Sequence, residues 1–310
     1  MDLLCLGEAM VEFNQASTGE AYRQGFGGDT SNAAIAAARS GARTGYVSAT
    51  GDDAFGDMLH ALWRAEGVSD AGVRRMPGAE TGIYFVTHGA EGHAFSYRRT
   101  GSAAARMAPE DLDPALLRQT RALHVSAISQ AISASACDTV FAAIEVVRDA
   151  GGLISYDTNL RLSLWPLARA RAIITATVPL CDILLPGLDD ARQITGLEAP
   201  AEIANWFRAR GAGIVALTLG GDGVLVADAS GSDLIAPHKV AAVDATGAGD
   251  AFDGAFLARY LETGDAREAA RYGNAAAALA VGGYGAVAPL PRRAEVEALL
   301  ARREGGGPDV

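Results

Sequence analysis

This sequence predicts an α/β fold: a mostly parallel central sheet flanked by helices on both faces, carrying a small β-sheet lid. Three observations point there. Short apolar runs alternate with longer amphipathic stretches along most of the chain, the pattern of parallel strands joined by crossover helices. Two segments, about 11–26 and 82–99, read instead as strands with no crossover helix between them. The 310 residues, 49% of them hydrophobic, are ample for one large core.

The apolar runs give strands at 3–7, 44–49, 122–126, 153–157, 183–185 and 214–218. Amphipathic stretches at 55–65, 136–150 and 201–210 supply helices between them. Strands of this kind are covered on both faces, and ligands sit at their carboxyl ends. The lid strands are β-rich around residues 82–87 and partly alternating around 94–98, with a turn across 89–93. Such a lid would either close over a site or stand as an exposed hairpin. Asp52, Asp53 and Asp57 open a helix and read as caps. One domain over 1–303 accounts for all of this, and the Gly-rich tail at 304–310 is expected to be disordered.

The net charge of −11 argues against nucleic-acid or membrane-surface partners, and the apolar stretches are too short to span a bilayer. The N-terminus meets Glu8 at once and lacks a basic region, so it is not expected to be a signal peptide. The three cysteines, Cys5, Cys137 and Cys181, form no CxxC pair and read as buried thiols in a reducing cytoplasm. The five histidines show no metal spacing, and His124 reads as a satisfied core residue.

The most informative stretch is Asp244-Ala-Thr-Gly-Ala-Gly-Asp250. Small residues on a turn lead into a helix whose apolar positions are Phe252, Phe256, Leu257, Tyr260 and Leu261, with Gly264 as its C-terminal cap. The first amides of that helix lack intrahelical acceptors, and its dipole adds partial positive charge. Small residues at Gly247, Ala248 and Gly249 let a phosphate approach those donors. Asp250 beside them is an odd neighbour for an anion unless it accepts a proton. An anion hole plus a base is the equipment of phosphoryl transfer to an alcohol. The bland alternative is a Gly-rich turn capping a core helix.

A second Gly-rich turn, Phe26-Gly-Gly-Asp-Thr-Ser-Asn-Ala-Ala34, opens an Ala-rich helix ending near Gly41. The two stretches, in this order near opposite ends of the chain, resemble the N- and C-terminal signatures of the PfkB (ribokinase-like) carbohydrate kinases. The resemblance spans essentially the whole sequence. Within the family it is closest to the 2-keto-3-deoxygluconate kinases, through Thr81-Gly-Ile-Tyr-Phe85, Tyr97-Arg-Arg-Thr-Gly-Ser-Ala103 and Asp157-Thr-Asn-Leu-Arg-Leu-Ser-Leu-Trp-Pro166. It implies that Gly28, Asn32, Tyr84, Tyr97, Arg99 and Arg161 line a sugar-acid site, with Asp250 as base and Gly247 to Gly249 as anion hole.

The chemistry agrees, because a sugar-acid kinase must neutralise a carboxylate and arginine pairs with one through two hydrogen bonds. Arg99 and Arg161 are the candidates. Arg98 should face away from Tyr97 and Arg99 by strand alternation, although a slipped register would put Arg98 in the site instead.

On the nucleotide side, Leu217-Thr-Leu-Gly-Gly-Asp-Gly223 resembles the segment that approaches ribose and phosphates, which nominates Thr218, Gly220, Gly221 and Gly223. Asn274 resembles a position near adenine. The family's Asn-x-x-Glu stands here as Gly187-Leu-Asp-Asp190, so Asp190 takes the Glu place while the Asn is absent. Asn159 is carried over to the phosphates. The resemblance further implies ATP and Mg2+, with K+ held by Asp244, the Thr246 carbonyl and a loop including Gly283 and Gly285. A homo-oligomer formed through the lid is expected from its unpaired edges. The rival readings are a kinase of a neutral sugar and a sugar-acid-binding regulator without turnover.

Overall fold

In the computed structural model, which describes residues 1–15, 19–89 and 92–304, the chain forms the expected α/β core with a separate small sheet. The first lobe of chain contains strands β1 (Leu3–Leu6), β2 (Met10–Gln15) and β3 (Tyr22–Gly27), helix α1 (Asp29–Arg39), β4 (Thr44–Gly51), α2 (Ala54–Ala65), β5 (Ser69–Met76), β6 (Ile83–Gly89) and β7 (Gly92–Arg98). Then come α3 (Pro114–Arg118), β8 (Ala122–Ser126), α4 (Ala127–Ala131), α5 (Ala134–Asp149), β9 (Leu153–Asp157) and α6 (Leu167–Thr177). The last part holds β10 (Ile183–Leu184), α7 (Leu188–Thr195), α8 (Pro200–Arg208), β11 (Ile214–Thr218), β12 (Val224–Asp228), β13 (Gly231–Ile235), α9 (Ala248–Thr263), α10 (Ala266–Ala280) and α11 (Arg293–Glu304).

Among the described residues, nine strands form the main sheet in the order β13-β12-β11-β10-β9-β8-β1-β4-β5. From β5 to β11 the pairings are parallel, while β12 and β13 continue antiparallel at one edge. Sequence patterning missed β5, β12 and β13. β5 and β13 lie at the edges, where exposed polar residues dilute the apolar signal. The chain runs outward from β1 through β4 to β5 and later from β8 towards β11, so the order reverses between β1 and β8, where open α/β sheets bind ligands. Strand alternation divides the core. Leu4 and Leu6 pack under α5, α6, α7 and α8, whereas Leu3 and Cys5 pack under α1, α2, α9 and α10.

The lid is a second sheet, ordered β3-β2-β6-β7, in which β2 pairs β6 in parallel and the other pairings are antiparallel. The tip of the turn at residues 90–91, residues 16–18 of the first lid segment and tail residues 305–310 lie outside the described residues. Of the three acids read as helix caps, Asp53 alone caps α2, accepting from the Gly56 amide. Asp57 stands in the first turn of α2, and both Asp52 and Asp57 pair with Arg75. The three cysteines are buried free thiols, and no helix among the described residues is long and apolar enough to cross a membrane.

What positions the site is the crossing of α1 and α9. A Cβ on Gly254 would lie 2.1 Å from the Ala33 carbonyl oxygen and 2.7 Å from the Ala36 Cβ. Glycine there, against alanines on α1, brings the two helix backbones together. Gly254→Ala therefore forces rigid backbone apart. It is expected to lower stability by roughly 1–3 kcal/mol, as overpacking does. Urea denaturation measures this, and an unchanged midpoint would contradict the close crossing.

Candidate active site

The α1–α9 crossing places one helix start against another. Gly28 is the N-cap of α1, with φ 129° and its carbonyl accepting from the Asn32 amide. A Cβ at Gly28 would sit 2.5 Å from the Glu8 carbonyl oxygen, so only glycine lets the chain pass the end of β1. One turn into α1, Asn32 Nδ2 donates to Asp250 Oδ2 at 2.7 Å, across 218 residues of sequence. Asn32 is buried, and its Oδ1 has no hydrogen-bond partner among the described residues. That acceptor beside Asp250 suits a hydroxyl donor.

Gly247 is the N-cap of α9, in the left-handed conformation with φ 75°. The first amide to find an intrahelical acceptor is that of Ala251, which donates to the Gly247 carbonyl. The Gly249 and Asp250 amides at the helix start remain for an anion, and nothing lies within 4 Å of where a Cβ on Gly249 would stand. The Ala248 amide, the third donor expected near the anion, donates to the Ala245 carbonyl at 3.2 Å. The tight turn that aims the helix uses that donor.

Asp250 is partly buried, and its pKa is pushed up to about 7. Burial is the largest cause, followed by the Asp29 charge, while the Asn32 hydrogen bond and Arg161 oppose them. Below this centre, Asp157 at the end of β9 and Asp253 on α9 are buried and share a hydrogen bond. Burial raises both well above the usual carboxylate range, so the pair retains a proton. His124 donates to or accepts from Ser155 Oγ through Nδ1 at 3.0 Å. Burial lowers its pKa to about 3, so it is a neutral core residue, as the sequence suggests.

Arg161 is half-exposed on the loop after β9, with its guanidinium 3.8 Å from Asp190 and its charge acting on Asp250. Asp190, in the first turn of α7, accepts the Leu160 amide at 2.9 Å, and burial raises its pKa. Asp190 thus fixes the loop that carries Arg161. Asn159 donates through Nδ2 to Asp29 Oδ2 at 3.1 Å.

The lid contributes Tyr84, buried, whose hydroxyl donates to Glu12 at 2.5 Å and whose ring stacks on the half-exposed Tyr97 at 5.6 Å. Arg98, the last residue of β7, is exposed, and Arg99, just beyond the strand, turns inward. Arg99 is not a free clamp, however. Its Nε donates to Glu8 at 2.7 Å, and Ser102 Oγ also donates to this buried carboxylate. The sequence offered Arg99 no visible partner, because Glu8 stands 91 residues earlier.

The nucleotide-side candidates lie at and just beyond the end of β11 and in the middle of α10. Thr218 donates to the Pro186 carbonyl at 3.4 Å, Gly220 and Gly223 take positive φ, and open space surrounds Gly220 and Gly221. Asn274 is tied by its amide to the Ile235 and Ala236 carbonyls at 3.4 and 3.3 Å. Asp244 Oδ1 accepts from the Thr246 amide and hydroxyl, and its Oδ2 accepts from the Gly285 amide at 3.0 Å. Asp244 therefore laces the turn before α9 to the 280–285 loop. Gly283 packs against Pro289, where a Cβ would lie 2.8 Å from the proline side chain. Glu8, Glu12, Asp29, Asp157 and Asp253 are the site residues that sequence reasoning missed. The spacing of Asp253 one helical turn from Asp250 was a usable signal.

A helix start that presents free amides next to a carboxylate with raised proton affinity is the architecture of a phosphotransferase acting on an alcohol. The chain belongs to the pfkB family of carbohydrate kinases, whose family model matches residues 1–293. It is 35% identical to the 2-dehydro-3-deoxygluconokinase of Thermoproteus tenax, covering 97% of this chain and 94% of that one. It is 31% identical to the probable fructokinase-4 of Arabidopsis thaliana, covering 96% of each. Among solved structures, a fructokinase with bound ATP from Xylella fastidiosa superposes with a TM-score of 0.90 at 25% identity, covering 98% of this chain and 99% of that one. A fructokinase double mutant from Vibrio cholerae, bound to fructose, ADP and potassium ion, gives a TM-score of 0.86 at 27% identity, covering 96% and 98%. The fold is thus ribokinase-like.

If Asp250 accepts a proton during turnover, its ionised form is the active one. The kcat/KM profile is then expected to rise with pH and level off above about 7. The Asn32 hydrogen bond favours the carboxylate, so Asn32→Ala is expected to move this limb to higher pH. A limb that stays in place would disconnect Asn32 from the titrating group.

Proposed function

We propose that this kinase transfers the γ-phosphoryl group of ATP to the terminal primary hydroxyl of a sugar acid, with 2-keto-3-deoxygluconate the preferred substrate and its 6-phosphate the product. The observation that carries the sugar-acid reading is Arg161. It is half-exposed, paired only loosely with Asp190, and close enough to act on Asp250. A cation so placed suits a substrate carboxylate. The similarity to the Thermoproteus tenax enzyme supports the same reading.

Asp250 removes the hydroxyl proton as the oxygen bonds to the γ-phosphorus and the bond to the ADP oxygen breaks. The amides of Gly249 and Asp250 meet the charge on the transferring group. Asn32 holds Asp250 and accepts a hydroxyl through Oδ1. Open backbone at Gly220 and Gly221 fits the approach of a nucleotide. No group of three or more acidic, His or Cys side chains forms a metal cage among the described residues. This fits Mg2+ that arrives on the phosphates and keeps most of its water; when bound it neutralises phosphate charge. Both Asp244 oxygens accept protein hydrogen bonds, so K+ would rely largely on carbonyls of the turn at Thr246 and of the Gly283–Gly285 loop.

A neutral ketose is the second reading. It is favoured by Arg99, the other clamp candidate, being engaged by Glu8, and by the similarity to fructokinases.

ATP consumption with magnesium and potassium separates the readings, with 2-keto-3-deoxygluconate, its galactonate epimer, fructose and ribose as acceptors. Turnover confined to the keto-deoxy acids supports the first reading, and turnover on fructose alone overturns it. Arg161→Ala is expected to cost sugar-acid kcat/KM roughly 1.5–3 kcal/mol, the range for a charged hydrogen bond; an unchanged kcat/KM removes Arg161 from the site. Asp250→Asn is expected to abolish most turnover while leaving ATP binding near wild type, and a kcat within a few-fold of wild type would refute the base. The strands β3 and β7 leave the lid with two open edges, so we also expect association through it. Phe95→Glu on the exposed edge strand should then lower the mass in sedimentation, and a monomeric wild type would exclude the contact.

A further inference from the structure

Asp29 is the feature of the site that the proposed mechanism does not use. It is the first residue of α1, one turn before Asn32 on the same helix face, and only partly buried. Neighbours at that spacing have Cβ atoms roughly 5–6 Å apart, and Asn32 touches Asp250. Two carboxylates, Asp29 and Asp250, therefore flank Asn32. Asp29 Oδ2 accepts from Asn159. Its Oδ1 takes no hydrogen bond from the protein among the described residues. A carboxylate with one oxygen steered by an amide and the other open accepts donors and repels phosphate, so its natural ligand is a hydroxyl.

We propose that Asp29 is a specificity-determining residue, its open oxygen accepting a hydrogen bond from a second substrate hydroxyl while Asp250 holds the hydroxyl that is phosphorylated. The substrate class is thus a polyol end rather than an isolated primary alcohol. This inference rests on the sugar-kinase reading but not on which sugar is correct.

The electrostatics are consistent with close approach. After burial, the Asp29 charge is the chief cause that raises the proton affinity of Asp250. The other groups facing Asp250 are Asn32 from α1, Arg161 from the loop after β9, Tyr84 from the lid, Asp157 at the end of β9 and Asp253 one turn along α9 with His124 behind it. A purely structural Asp29, complementing the dipole of α1, would give stability without reading a hydroxyl.

The experiment uses the full chain and whichever sugar of the panel is turned over best, together with its analogues lacking one hydroxyl at a time. Wild type is expected to lose roughly 10- to 100-fold in kcat/KM when one particular secondary hydroxyl is removed. Asp29→Ala and the near-isosteric Asp29→Asn are each measured on the intact substrate and on that analogue. Asp29→Ala is expected to lose a similar factor on the intact substrate and almost nothing more on the analogue, and Asp29→Asn to show the same closure in part. Asp29→Asn is also expected to move the acid limb of kcat/KM to lower pH, because a negative neighbour of Asp250 is gone. A wild type indifferent to every secondary hydroxyl overturns the proposal without any variant. So does an Asp29→Ala enzyme that still loses the full factor on the analogue. Absence of turnover on every sugar would instead count against the kinase reading itself.

Discussion

The hydrogen bond from Asn32 to Asp250 depends on two helices meeting closer than ordinary side chains allow. Gly254 permits the approach of α9 to α1, Gly28 lets the entry to α1 slip past the end of β1, and Gly247 turns the chain into α9. Each glycine serves a separate steric need: a helix crossing, a close passage and a positive φ. Together they put the starts of two helices at one point beside the place where the sheet order reverses. The free amides there carry the positive end of the α9 dipole, while burial and the Asp29 charge raise the proton affinity of Asp250. A carboxylate of raised proton affinity next to free helix amides is thus a consequence of the packing as much as of residue choice.

Much of the negative charge around this point is managed by burial rather than by cations. Asp157 and Asp253 keep a proton between them, Asp190 is spent on a backbone amide, and Glu8 is closed off by Arg99 and Ser102. Asp250 and Asp29 are the acids left with access to the site. A molecule with eleven excess negative charges can in this way keep a site open to an anion, because most acids near the site are neutral or paired.

What was legible in the sequence follows from how local the constraint is. Gly-rich turns and their bordering acids are contiguous, so the starts of α1 and α9 could be read directly. Most strands buried on both faces announced themselves, whereas β12, although mostly buried, and β5 and β13 at the sheet edges did not. Partnerships between distant segments were out of reach. Nothing near Arg99 in sequence says that Glu8 will take it, and nothing in Gly247 to Gly249 says that the Ala248 amide will close a turn onto Ala245. The same holds for Asn274, whose amide is drawn to the carbonyls at the end of β13.

The Glu8–Arg99 pair has a consequence for the lid. Glu8 lies just beyond β1 of the main sheet, and Arg99 and Ser102 follow the last lid strand. A Cβ on Gly82, which leads into β6, would reach 2.8 Å from the Glu8 carboxylate, and one on Gly28 would strike the Glu8 carbonyl. The connections into and out of the small sheet therefore converge on one buried acid. Removing either partner would leave a buried charge without its counterion, which is costly. The pair thus fixes where the lid is rooted, while Tyr97 further out stays half-exposed. A root held by a buried ion pair keeps the small sheet in a fixed place against the main sheet.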